Sequence, residues 1–209
     1  SKYRTIIVNK YNWLNNAQIS ADSSKEGFEI INIADEDYYT SWKADGTKVT
    51  ILMEYNKIQV VDEIVVNEIG NNIKSWDIKY SDDGLNWVNL NTAPVSEGQA
   101  KKFSFYPIEA KKIMLTVEAD EQEPEIAELC TYVDNSSIVE IDASKLYVGN
   151  SGSIVTSDLV LKNIGTYGSK ITWTSSDTNA IANNGTLLSP SYDATVTLNG
   201  TLTVNTAGS

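Results

Sequence analysis

Residues 65–87 read VVNEIGNNIKSWDIKYSDDGLNW, in which short apolar runs are separated by turn signals. Within residues 75–81 (SWDIKYS) apolar and polar side chains alternate, which is the period of a β-strand with one buried face. Asn-Asn precedes this run and Asp-Asp-Gly follows it, and both are typical turn sequences. The stretch therefore predicts short strands that are joined by tight turns.

The same pattern extends outward along the chain, whereas a helical repeat is almost absent. Three further runs, residues 60–70, 101–108 and 111–119, are rich in branched and aromatic side chains, and Asn-Asn, Glu-Gly and Asp-Glu turn signals bound them. With 41% hydrophobic residues the chain can bury a sizeable core. These observations predict an all-β sandwich.

Composition divides the 209 residues into two predicted domains, 1–134 and 135–209. The first holds 13 Lys or Arg and 23 Asp or Glu, a balance of −10, while the second holds 3 and 5, a balance of −2, and is rich in Ser, Thr, Asn and Gly. DNSSIVEID (134–142), polar and then strand-like, is interpreted as the junction.

Charge and missing residue types exclude several functions. A net charge of −12 repels nucleic acid and anionic lipid surfaces, and no apolar run is long enough to insert into a membrane. The absence of histidine removes a Ser-His-Asp triad and most zinc sites. Cys130, the single cysteine, is expected to be a buried, inert thiol. The start at Ser1, without a signal sequence, is expected of a mature or excised piece.

IADEDYYTSW (33–42) concentrates three carboxylates beside aromatic side chains. Three interpretations stay open from these residues: a general acid/base pair, a metal-binding loop, or a solvated acidic turn. Two carboxylates two positions apart, a nearby hydroxyl and loop carbonyls suit calcium better than zinc, because calcium takes six to eight oxygen ligands.

Four segments in a fixed order carry a resemblance to a known family: AQISADSS (17–24), NIADEDYYTSW (32–42), IKYSDDGLNW (78–87) and PEIAELCTYV (124–133). In this order they resemble the discoidin, or coagulation factor V/VIII type C, fold and within it the family 32 carbohydrate-binding modules of bacterial glycoside hydrolases. Residues 65–87 are most similar to the version that follows the catalytic domain of bacterial α-L-fucosidases. The resemblance implies a jelly-roll-like β-sandwich, a structural calcium ion (Ca²⁺) and a sugar site on loops at one end.

The resemblance also implies the calcium ligands. The family pattern Asp-Gly-Asp-x-x-Thr-x-Trp matches residues 35–42, and a closing Ala-Glu pattern matches residues 127–128. The implied ligands are Asp35, Asp37, Thr40 and Glu128. Glu36 occupies the family's glycine position, so either the turn is reshaped or Glu36 adds an acceptor.

The sugar site is less defined, because related galactose-binding modules commonly use a His and an Arg, whereas this chain has no His and only Arg4. A sugar site needs an aromatic platform and polar side chains. The platform candidates are Trp13, Tyr38 and Tyr39, and the hydrogen-bonding candidates are Lys43, Asp45, Asn71, Asn72 and Lys74. Trp13 either stacks on sugar or packs, and one of the two tyrosines is expected to pack. Trp42, Trp76 and Trp87 are assigned to the core.

The second domain shows a separate resemblance over residues 138–206. SDLVLK (157–162), Gly-x-x-Gly, ITWTSS (171–176) and NGTL (184–187) follow one another as in the small bacterial Ig-like domains of secreted glycosidases. This implies a smaller Ig-like β-sandwich of seven short strands, in which Trp173 packs in the core and the domain acts as a spacer.

Together these observations predict a non-catalytic accessory region of an extracellular bacterial glycoside hydrolase, secreted or attached to the cell surface. Its expected partners are a glycan or polysaccharide and the catalytic domain of the same chain. The alternative is a purely structural spacer or a cell-surface adhesion module without sugar affinity. An autonomous enzyme is least favoured, because the carboxylates already have places in a metal loop and in turns.

Overall fold

The computed structural model describes residues 10, 12–149 and 151–204. They form two compact units that meet in sequence between Asp134 and Asn135. Arg4, the single arginine, lies outside the described residues.

The first unit is built on one continuous antiparallel sheet. A 3-10 helix, η1 (Trp13–Asn16), precedes the first strand, and a second, η2 (Ile30–Ala34), follows it. The strands are β1 (Ala17–Ala21), β2 (Trp42–Lys43), β3 (Lys48–Glu68), β4 (Ile73–Ser81), β5 (Val88–Asn89), β6 (Val95–Glu97), β7 (Ala100–Ala119) and β8 (Glu125–Tyr132).

The two long strands β3 and β7 run through both layers of the sandwich. The first part of β3 lies between β1 and β7, and the last part lies between β7 and β8. The register of the β3–β7 pair shifts between Glu54 and Gln59, where the two parts of the ladder meet. Such irregularities bend a strand and increase its twist, so one pair of strands contributes to both layers.

The core lies between these layers and is filled by alternate side chains of β3 and β7. The largest fully buried side chains include Trp42, Tyr55, Phe103, Ile113 and Leu115. The core assignment of Trp42 is confirmed, and Trp76 packs against the cluster with its ring centroid 5.5 Å from that of Phe103.

Trp87 does not belong to the core, so that prediction is wrong. It is half-buried and lies outside the cluster of buried side chains. Trp87 lies after the turn at residues 82–86 and just before the two-residue strand β5. It is therefore not part of a strand, and the alternation of buried and exposed side chains does not apply to it.

The second unit contains a helix at the point where the junction was expected to continue as a strand. Helix α1 spans Asn135–Ser144. Its buried side chains are those of Ser137 and Asp142, and the short apolar run within it fits the period of a helix as well as that of a strand. Asp142 is buried and accepts hydrogen bonds from the backbone N–H groups of Tyr167 and Ser169. No helix in the described residues is long and apolar enough to cross a membrane.

The described part of the second unit forms fewer strands than the seven expected. β9 (Lys170–Ser175) and β10 (Leu198–Thr203) pair antiparallel, and two isolated bridges add to them. Residues 157–162, predicted as a strand, form no ladder; Leu159 instead donates one backbone hydrogen bond to Gly185. Trp173 is buried as predicted, and its Nε1 donates to the Lys162 carbonyl at 2.7 Å. The predicted all-β fold class is confirmed, with one short helix.

A buried hydrogen bond across the first unit provides a test of the core. The Tyr55 hydroxyl donates to Thr131 Oγ1 at 2.8 Å, and burial raises the pKa of Tyr55 well above its usual value. Tyr55→Phe leaves the Thr131 hydroxyl without this partner, so we expect the free energy of unfolding to fall by about 1–2 kcal/mol in urea denaturation. Tyr106→Phe, at a side chain that is 70% exposed, is the matched control and is expected to change it by less than about 0.5 kcal/mol.

Candidate functional site

The acidic loop, residues 35–40, follows η2 and is ordered by its own side chains. Asp35 Oδ1 accepts the backbone N–H of Asp37 at 2.9 Å, and Asp35 Oδ2 accepts the Thr40 hydroxyl at 2.8 Å. Asp37 Oδ1 accepts the backbone N–H of Tyr39 at 3.0 Å. These short-range bonds fix a tight turn in which the predicted ligands Asp35, Asp37 and Thr40 lie together.

The backbone of Glu36 excludes one of the two alternatives left open for this turn, namely that the turn is reshaped. Its φ is +62°, the left-handed conformation that favours glycine, so the backbone keeps the geometry implied by the family glycine. Its side chain turns to η1, where Glu36 Oε1 accepts from Asn15 Nδ2 at 3.3 Å. The turn is retained, at the cost of backbone strain in a residue that carries a Cβ.

Glu128 reaches the acidic loop from strand β8. It pairs with Asn67 of β3 and is only 2% exposed, and its Oε1 has no hydrogen-bond partner in the described structure. Burial, reinforced by the charges of Asp35 and Glu36, raises the pKa of Glu128 to about 8. Asp35 and Glu128 therefore meet as two carboxyl groups that no described Lys or Arg compensates.

A cation fits this arrangement of oxygens. In the described residues no three Asp, Glu or Cys side chains form a metal-binding group by themselves. A calcium ion also takes carbonyl and hydroxyl oxygens, which the turn supplies in addition to Asp35 and Glu128. The buried Oε1 of Glu128, which has no partner in the described structure, is the observation that fits a cation at this position.

A second group of residues lies at the end of the sandwich where β2 meets the start of β8, and we call it the loop end. It is formed by residues 22–28, 43–48, 69–73, 97–99 and 120–125. Ion pairs and hydrogen bonds join these loops. Lys25 pairs with Glu123 at 2.7 Å, and Lys43 pairs with Glu125 at 3.2 Å. The segment 69–73 joins them through Asn72, whose Nδ2 donates to Gln122 Oε1 at 3.0 Å.

A cavity of about 120 Å³ opens at the loop end. Its lining consists of Glu68, Gly70, Asn71, Gly98 and Gln99. Three of these residues, Gly70, Asn71 and Gly98, have positive φ values, so two tight turns bring their backbones to the cavity. Asn71 is held by Lys101, whose Nζ donates to Asn71 Oδ1 at 2.6 Å.

The sugar-binding candidates fall into two separate groups. The loop end holds Lys43, Asp45, Asn71 and Asn72, and Lys74 follows it as the second residue of β4. Trp13, Tyr38 and Tyr39 lie instead in η1 and the acidic loop, which contact β8 further along its length.

The aromatic candidates also differ in exposure. Trp13 is half-buried and packs against the core, which is the packing alternative of its interpretation. Tyr38 is 52% exposed and Tyr39 is 85% exposed, so the expectation that one of them packs is wrong. Each lies in a loop whose turn is closed by Asp35 and Asp37, which leaves both rings outside the core.

Sequence reasoning missed Glu68. In VVNEIG (65–70) it continues the buried series of Ile64 and Val66 at a period of two, so a charged residue stands at a position where an apolar one is expected. That mismatch is the signal that identifies it.

Cys130 is buried and carries no disulfide, as expected. Burial raises the pKa of its thiol to about 11, so the thiol stays protonated near neutral pH. The reactive thiolate form is therefore disfavoured.

Solved structures with the same architecture identify the first unit as a discoidin-type β-sandwich. A chitosan-binding module from a Paenibacillus chitosanase/glucanase is 21% identical with a TM-score of 0.52, and the match covers 58% of this chain and 98% of that one. The family 32 carbohydrate-binding module of NanJ from Clostridium perfringens, solved with galactose, is 20% identical with a TM-score of 0.53, covering 59% and 99%. No curated protein sequence matches the chain significantly.

The family follows from the sequence match. The F5/8 type C domain model matches residues 18–131, more than half of the chain, so the chain belongs to this family. The model of the atrophied bacterial Ig domain matches residues 139–209. The predicted pair of resemblances is confirmed.

A fucosidase from Ruminococcus gnavus, solved with fucose, shares the fold of the first unit as one part of a longer chain. It is 20% identical with a TM-score of 0.53, and the match covers 61% of this chain but only 28% of the fucosidase. At this identity the likeness concerns the fold.

The shifted pKa of Glu128 makes the stability of the metal-free protein depend on pH. The pKa of Glu128 is about 8 in the folded state, against its ordinary value of 4.5, so between these pH values the folded state binds the proton that the unfolded chain has released. The contribution of Glu128 to the free energy of unfolding is therefore fully present below about pH 4.5 and is lost as the pH rises through about 8. Glu128→Gln removes this dependence, so we expect the wild-type melting temperature in EDTA to fall more steeply over this interval than that of the variant. Equal slopes in thermal melts would contradict the assignment.

Proposed function

We propose that the first unit is a non-catalytic glycan-binding module whose site is the loop end. The cavity carries this proposal, because it joins exposed polar side chains to a recess lined by turn backbone. Its volume is about four times the volume that one molecule occupies in liquid water. The cavity can therefore hold a substituent of a sugar, while the sugar ring stays outside. Asn71 and Gln99 offer amide donors and acceptors at the recess.

The similar structures support this proposal. Two modules of the same fold are described as binding chitosan and as a complex with galactose, and the match spans nearly their whole length. Because this chain lacks histidine, its recognition depends on amide, lysine and carboxylate groups. A shallow site of this kind is expected to bind in the micromolar to millimolar range, about −8 to −4 kcal/mol.

Asn71 provides the sharpest variant for the location of the site. Its φ of +56° is one that glycine adopts without strain, so Asn71→Gly removes the amide and leaves the turn. We expect the affinity for the best ligand of a glycan array, measured by titration calorimetry, to fall about tenfold, the loss of about one hydrogen bond.

Tyr39→Ala tests the other group of candidates. This ring is highly exposed in the acidic loop, away from the cavity, so the variant is expected to keep the wild-type affinity. Loss of binding in Tyr39→Ala with none in Asn71→Gly would move the site to the acidic loop. Absence of binding to any glycan would favour the structural alternative.

We also propose that the acidic loop and Glu128 hold a structural calcium ion. Asp35 and Glu128 would supply carboxylate oxygens, and Asp37 and Thr40 belong to the same turn. Calcium bound there would neutralise the buried carboxyl groups and tie β8 to the segment between η2 and β2. The ion's contribution is charge neutralisation and cross-linking, and the proposal includes no reaction step.

Calcium is expected to stabilise the first unit. At a free concentration 100 times its Kd, a ligand that binds only the folded state adds about 2.7 kcal/mol, so we expect a clear rise in melting temperature on calcium addition and its reversal by EDTA. Asp35→Asn should remove most of this response. Asp120→Asn, at an exposed acidic position outside the loop, keeps the same net charge as Asp35→Asn and should preserve the response. An unchanged melting temperature in wild-type protein would refute the site.

The wider role follows from these two proposals. Tethered to a catalytic domain, a weak glycan-binding module raises the effective concentration of that domain at its substrate. We propose such an accessory role in an extracellular glycoside hydrolase, with the second unit as a spacer. Its support is the fucosidase, in which a domain of this fold is one part of the chain.

A further inference from the structure

We propose that Lys101 is a positioning residue of the site at the loop end. It holds the side chain of Asn71 so that the amide presents its nitrogen, and not its oxygen, to a ligand, and the site therefore selects a glycan group that accepts hydrogen bonds. The inference rests on the glycan-binding function proposed above and names the residue that orients the recognising group.

Lys101 connects three elements of the first unit. It is the second residue of β7, its Cα lies opposite that of Ser96 in β6, and its Nζ donates to Ser96 Oγ at 3.1 Å. The same Nζ donates at 2.6 Å to Oδ1 of Asn71, which lies in the turn between β3 and β4. The ammonium group therefore ties this turn to the hairpin formed by β6 and β7.

The ammonium group also determines which way the Asn71 amide faces. A lysine side chain has three N–H donors and no acceptor, so the amide atom that contacts it has to be the oxygen. This charge-assisted bond is the single side-chain hydrogen bond that the described structure gives Asn71. The two N–H donors of Nδ2 are therefore the polar groups of this side chain that remain for a ligand.

Asn71 lies where a ligand can reach it. It is exposed, and it lines the cavity of the loop end. The next residue of the turn is fixed as well, because Asn72 Nδ2 donates to Gln122 Oε1 at 3.0 Å. Since the turn itself is held, the direction of the Asn71 amide is the feature that Lys101 controls.

This orientation favours some ligand groups over others. An asparagine amide without a partner can rotate to offer either a donor or an acceptor, and a ligand that immobilises it loses affinity through the entropy of one side chain. With Lys101 in place, the donor is fixed before the ligand arrives. A hydroxyl, carbonyl or ring oxygen of a glycan accepts this bond, whereas an ammonium group, which only donates, does not.

Asn71→Asp tests which group the ligand meets. The carboxylate has nearly the shape of the amide and keeps a bond to Lys101, but it offers the ligand an acceptor in place of a donor. Binding is measured by titration calorimetry with galactose, the sugar in the NanJ structure, and with the strongest ligand of the glycan array. We expect the affinity to fall about tenfold, as in Asn71→Gly. Asn56→Asp, exposed at the register shift of β3, changes the net charge equally and is expected to keep the wild-type affinity.

Lys101→Met tests the positioning role. Methionine keeps an apolar stem without the ammonium, so the amide is free to rotate, and we expect the affinity to fall about three- to tenfold. In the Asn71→Gly background the same substitution is expected to cause no further loss, because Lys101 acts through the amide that this variant lacks. Lys57→Met, exposed at the register shift of β3, is the matched control for the lost charge. Thermal melts check folding, and Asn71→Asp still decides if Lys101→Met does not fold.

The outcomes separate the positioning role from the function on which it rests. A loss of affinity in Asn71→Asp, together with a loss in Lys101→Met that disappears in the Asn71→Gly background, supports the role of Lys101. Unchanged affinity in Asn71→Asp or in Lys101→Met, or an equal loss from Lys101→Met in both backgrounds, overturns that role and leaves glycan binding standing. Absence of binding to galactose and to every glycan of the array overturns both.

Discussion

The pairing of β3 with β7 is the constraint on which the rest of the first unit depends. These two strands are long enough to pass through both layers, and their ladder shifts register where it bends. The remaining strands add to one part or the other of this pair. The loops that carry the candidate sites therefore leave a rigid frame, and their positions relative to one another follow from strand register.

Two buried glutamates stand close together on this frame and have different surroundings. Glu128 pairs with Asn67, and the next residue of β3 is Glu68. Each has one oxygen without a partner in the described structure. Glu128 meets the carboxyl group of Asp35, an arrangement suited to a hard cation, whereas Glu68 lines a cavity between two turns. A charge on the buried face of a strand is expensive to maintain, so both positions indicate binding more strongly than the exposed acidic residues do.

Much of the fold could be predicted because its signals are local. Alternation of period two identified the strands, and the turn pattern around Asp35 identified the acidic loop. The helix α1 was mistaken for a strand because a short apolar run fits either period. The candidate sugar residues were grouped by residue type, whereas strand register places Tyr39 and Asn71 in different parts of the molecule. Glu68 acquires its meaning only from the partner of each oxygen, which depends on tertiary contacts that the sequence does not display.

The buried tryptophans give each unit an optical signal of its own. Trp173 is the single tryptophan of residues 135–209, and its indole is buried and donates to a backbone carbonyl. The other four belong to the first unit, where Trp42 is fully buried and donates to Ser24 Oγ. Tryptophan fluorescence of the second unit therefore comes from one indole in one environment, so a red shift of the emission that Trp173 contributes reports the opening of this unit.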